Sequence, residues 1–195
     1  MTPPPPKRKL KGVGAFALKF IFFAPICLVV WWLVMPYYTW GIGYLASIVL
    51  KNMLGVPVES VGVTTEPASI LNTDVELTFV VDGNPRRMPQ IGRAITNVAP
   101  FVALVLSTAG LGMLRRLKVT GIGLVVIAVA HIAFICMAAK AGPGSFTQAI
   151  GYFVITLPFL LWITLAYLDK IGQYFAVNAQ NVKSVKSTDK EPAQK

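Results

Sequence analysis

The sequence predicts a mainly α-helical membrane protein: four transmembrane helices, with a small extracytoplasmic helix-plus-β-hairpin segment between the first and second. Three observations predict it. Of 195 residues, 55% are hydrophobic and only 13% are charged, about half the charged share of an ordinary soluble domain. That balance excludes a water-surrounded globule, and the apolar content excludes disorder along the whole chain. The apolar residues also gather into four long runs. Between the first and second runs the texture changes to alternating polar and apolar residues.

The first run, Phe20 to Met35, follows Lys7, Arg8, Lys9, Lys11 and Lys19. It is short for a hydrocarbon core of about 30 Å. Val13 to Leu18 lengthen it if Lys19 snorkels to the headgroups. The first transmembrane helix is therefore expected at 13–36, after a basic N-terminus at 1–12 that contains Pro3 to Pro6. Trp31 to Met35 offer no small-residue cleavage site, so an anchor is read here rather than a signal peptide. Pro25 bends this helix and Pro158 the fourth. Trp31, Trp32, Tyr37, Tyr38, Trp40 and Tyr44 form an aromatic anchor at the water interface.

Residues 37–93 are the extracytoplasmic segment. Ile42, Leu45, Ala46, Val49, Leu50 and Met53 recur at helical spacing, which predicts an amphipathic helix over 38–54, on the membrane surface or continuing the first span. Val56 to Thr65 are rich in valine and threonine. In Asp74 to Asp82, Val75, Leu77, Phe79 and Val81 alternate with polar neighbours. Strands are expected at about 56–65 and 74–82, with a loop at Glu66 to Thr73. Asp82-Gly83-Asn84-Pro85 signals a turn, and Arg86 to Met88 a short third strand.

The remaining apolar runs give transmembrane helices at 94–114, 119–139 and 146–168, joined by a cytoplasmic loop at 115–118 and an extracytoplasmic one at 140–145. Each span rises roughly 31–35 Å. A largely disordered cytoplasmic tail is expected at 169–195, resting on anionic lipid.

The net charge of +10 reports orientation rather than nucleic acid. With the N-terminus cytoplasmic, only Lys51, Arg86, Arg87, Arg93 and Lys140 lie outside, and all other Lys and Arg lie inside. The positive-inside rule selects that arrangement, with both termini cytoplasmic. Cys27 and Cys136 sit in apolar runs and read as small apolar residues, not as a disulfide.

Little chemistry is signalled. His131, in the third span, is the only histidine. Cys136 is about one and a half turns further on and faces elsewhere, so no nucleophile–base pair is indicated. One histidine and two scattered cysteines cannot build a metal site. Gly110-Leu-Gly112 and Gly121-Ile-Gly123 lack the lysine of a phosphate loop. No catalytic, cofactor-binding or metal-binding residue is expected. His131 reads either as a ring bonded to a neighbouring helix or as a proton- or ligand-handling group. Ala99, Ala103 and Ser107, with Gly110 beyond, form a small-residue stripe suited to close helix packing, within the bundle or against a membrane protein partner. Arg86, Arg87 and Arg93 read as anchors to lipid phosphate or as contacts to an acidic partner.

The order of parts is one N-terminal anchor, a short outer β segment and three closely spaced spans. Together with Val75 to Val81, Asn84-Pro85, Pro100-Phe101-Val102-Ala103-Leu104, Arg115-Arg116-Leu117 and Leu157-Pro158-Phe159-Leu160-Leu161-Trp162, it resembles the small membrane proteins associated with exosortase H. The resemblance covers most of residues 20–170. It implies a bacterial inner-membrane protein that accompanies an envelope protein-sorting enzyme, and it carries no catalytic residues over. The expectation is a non-catalytic accessory protein whose partners are the lipid bilayer and an exosortase-type sorting enzyme. The alternative is an accessory subunit of a transporter or secretion complex.

Overall fold

A computed structural model of the protein describes residues 11–65, 75–88, 91–142 and 144–188. It opens on one unbroken helix, α1 (Lys11–Met53), 43 residues long. At 1.5 Å per residue that is about 65 Å, twice the thickness of a hydrocarbon core. The expected span 13–36 and the expected amphipathic helix 38–54 are thus one element. Pro25 and Pro36 lie inside it. Each removes one backbone donor, and the helix carries on past both.

The upper part of α1 buries Ile42, Ala46 and Leu50 beneath a sheet, while Leu45 and Met53 stay exposed. Three antiparallel strands make that sheet, in the order β1 (Val58–Thr65), β2 (Val75–Val81), β3 (Asn84–Met88). The period-two pattern of β2 holds throughout: Val75, Leu77, Phe79 and Val81 are all buried. The turn is tighter than the four residues expected for it. Asp82 and Gly83 alone make it, at φ 51° and 72°, and Val81 pairs with Asn84. Positive φ at both central residues matches the right-handed strand twist, which is why Asp-Gly serves there. The expected loop at Glu66 to Thr73 lies outside the described residues.

The second transmembrane helix expected at 94–114 does not form as one helix. The chain makes a five-residue helix, α2 (Ile91–Ile95), then a break at Thr96-Asn97, then α3 (Val98–Ser107). The ten residues of α3 rise about 15 Å, half a crossing. Pro100 falls in the first turn of the new helix, where its missing N–H leaves no helical bond unmade; Pro25, Pro36 and Pro158, by contrast, are carried inside unbroken helices. The helix that follows is α4 (Met113–Ala141). The expected cytoplasmic loop at 115–118 is therefore the start of α4, and the connection lies at Thr108 to Gly112, where Gly110 turns the chain at φ 83°.

Among the described residues, three helices are long and apolar enough to cross a membrane: Gly14–Met53, Met113–Ala141 and Ser145–Ala166. The last belongs to α5 (Ser145–Thr188), 44 residues long. The tail expected to be loose is thus helical to Thr188. Gln173 to Thr188 contain no Gly or Pro, and extending an existing helix needs no new nucleus.

Two apolar clusters hold the parts together. One joins α1, the inner sheet face and α2 with Phe134 and Ile135 of α4. The other packs Val98, Phe101 and Val105 of α3 on Val119 and Ile127 of α4. Gly123 lets that second contact close, because a Cβ there would collide with the buried Phe101 ring.

Candidate functional site

A break in a helix among apolar surroundings leaves backbone groups without partners, and each unpaired group is costly there. The side chains around the α2–α3 break supply the missing partners. They form the most polar interior feature among the described residues.

At the upper side of the break, His131 is 1% exposed. Its Nε2 lies 3.0 Å from the carbonyl oxygen of Ala94, in the last turn of α2. A carbonyl only accepts, so Nε2 carries the proton. The neutral ring then accepts at Nδ1 from the Tyr38 hydroxyl, 3.0 Å away. Tyr38 stands edge-on to the imidazole, and Trp31 stands edge-on to Tyr38. The network thus links α1, α2 and α4 at one level.

Asn97 sits in the break itself and is buried. It occupies the N-cap position of α3 without capping it. Its Nδ2 instead donates to the carbonyl oxygen of Val154 at 2.8 Å. Pro158 lies four residues after Val154 and has no N–H to give that oxygen. Asn97 therefore replaces a donor that the proline removed from α5.

At the lower end, Ser107 and Thr108 turn their hydroxyls back to the carbonyls of Ala103 and Leu104, at 2.6 and 2.7 Å. The Thr108 carbonyl accepts from Arg116 Nη2 at 3.1 Å, and its hydroxyl oxygen accepts from Trp162 Nε1 at 2.9 Å. The end of α3 is thereby tied to the first turn of α4 and to the middle of α5. The interrupted segment runs from the sheet end of the protein to the opposite end.

The residues singled out from the sequence divide among three places. His131 is in the polar junction with both ring nitrogens engaged. Cys136 points its thiol toward the carbonyl of Ala46, 3.8 Å away, and not toward His131; both cysteines are free thiols. Ala99, Ala103 and Ser107 are buried within the protein's own helices, so this stripe offers no surface for a partner to reach. Arg86 and Arg87 are exposed on β3 at the edge of a cavity of about 390 Å³. Arg86 Nη1 donates to the carbonyl oxygen of Ala139 at 3.2 Å, in the last turn of α4, where a cation also suits the helix dipole. Arg93 lies in α2, with its side chain outside the described residues.

Sequence reasoning missed Tyr38, Asn97, Thr108, Arg116 and Trp162. Only Asn97 carried a local signal, a capping residue three positions before a proline inside an apolar run. Most of the junction's donors and acceptors answer one another, as in a scaffold, but Trp31 Nε1, Asn97 Oδ1 and Arg116 Nε are buried without a hydrogen-bond partner among the described residues. Comparison with known families, with curated proteins and with solved structures finds no match.

Proposed function

We propose that this is a non-catalytic accessory protein of the bacterial inner membrane that steadies a larger membrane protein, with both termini cytoplasmic. The partner suggested by the sequence resemblance is an exosortase-type envelope protein-sorting enzyme. One observation carries the reading. The most apolar stretch of α1 has only 6% of its residues buried, against 39% for α4. Leu18, Ile21, Phe22, Val29, Val30 and Leu33 all stand exposed on it. A stretch so little buried by its own fold has its lateral surface available to another membrane protein. The pairing of both His131 ring nitrogens supports the same reading, since a ring so engaged holds helices together.

The interrupted second span favours one further reading, an accessory subunit of a transporter or secretion complex. Broken helices at membrane depth are the usual site-builders of transporters.

Co-purification separates these. The full chain, cross-linked in native membranes and extracted in mild detergent, is expected to bring down one stoichiometric large membrane protein. The identity of that protein decides between a sorting enzyme and a transport component. A purified protein that binds no partner in its own membranes, or that alone turns over a substrate, overturns the accessory role.

A further inference from the structure

We propose that the cavity beside β3 is a site for one anionic phospholipid, its phosphate held by Arg87 and Arg86 and its acyl chains leaving along α5. The inference needs the bilayer but no particular protein partner. The cavity's volume of about 390 Å³ falls within the usual range for small-ligand sites, about 300–1,000 Å³. Two arginines, Arg86 and Arg87, line it together with the apolar Met88, Phe134 and Ala138. No carboxylate lines it among the described residues: Glu59 and Glu76 are on β1 and β2, and Asp82 is in the turn.

Guanidinium groups bind phosphate through paired, charge-assisted hydrogen bonds. Arg86 has one nitrogen committed to Ala139. Arg87 has no hydrogen-bond or ion-pair partner among the described residues, which leaves its whole fork for an anion. The apolar walls select an amphiphile over a free ion. Gln148 lines the cavity, and one turn along the same face of α5 stands Tyr152, 69% exposed, followed by Phe159, 51% exposed. That stripe leads from the headgroup position down the apolar length of α5, as an acyl chain requires.

The test uses the full chain, delipidated in detergent and examined by native mass spectrometry. The probes are phosphatidylglycerol, phosphatidylcholine with the same acyl chains, and inorganic phosphate. One phosphatidylglycerol is expected to be retained about tenfold better than phosphatidylcholine, whose headgroup has the same phosphate but adds a choline cation that the guanidinium groups repel. Inorganic phosphate should neither bind nor displace it. Arg87→Gln and Gln148→Glu should each erase most of that preference; both positions are exposed, so folding is not at stake. Ala138→Phe, which adds bulk to the lining without changing charge, should lower retention of both lipids. Arg86 is spared because it also caps α4. Equal retention of the two lipids by the unaltered protein overturns the proposal. So does a preference that survives both charge variants, or inorganic phosphate competing as well as the lipid.

Discussion

Pro158 deprives the Val154 carbonyl of its helical donor, and the Asn97 amide reaches across from the α2–α3 break to supply another. The two residues should therefore be energetically coupled. Asn97→Leu leaves a buried acceptor unpaired, at a cost of about 1–2 kcal/mol in an apolar setting. In a Pro158→Ala background the backbone N–H of residue 158 returns, and the same change should cost much less. Equilibrium unfolding in mixed micelles of the four proteins of this cycle measures the coupling; additive effects would show that Asn97 does not substitute for the missing donor. The pair also marks the limit of what was legible. His131 stood out because it is the only histidine in the chain. Asn97 did not, because the acceptor it serves is created by a proline in another helix.

The elements that announced themselves did so through local chemistry. The alternation in β2 and the Asp-Gly turn are written in adjacent residues, and both strands lie within two residues of their expected bounds. Apolar runs, by contrast, predict that a helix forms but not where it breaks. The break before Pro100 and the continuation of α1 beyond Pro36 depend on neighbours. The sheet covers the upper part of α1, and His131 satisfies the backbone at the break. The same holds for the close approach of α3 and α4 at Gly123. A methyl group there must displace Phe101, which is fully buried. Gly123→Ala should lower stability by about 1–3 kcal/mol, the usual cost of overpacking. Phe101→Leu in the same chain should recover part of it. Thermal unfolding in detergent, followed by near-ultraviolet circular dichroism, reads both.

For the whole molecule, the interrupted segment decides the parity of the fold. If α2–α3 carries the chain across the bilayer, the sheet lies outside and both termini lie inside, as the cationic residues require. A periplasm-only reporter fused at Gly83 should be active, and the same reporter near Lys186 silent. Activity at Lys186 would overturn that orientation. The unbroken course of α1 has a mechanical consequence besides. One continuous helix joins the N-terminal end of the described chain to the platform on which the sheet rests, so their relative azimuth is geared. Adding a single residue mid-helix would swing the platform by about 100°, carrying Arg86 away from the end of α4. The length of this shaft is thereby held to whole turns, by the contacts at its far end.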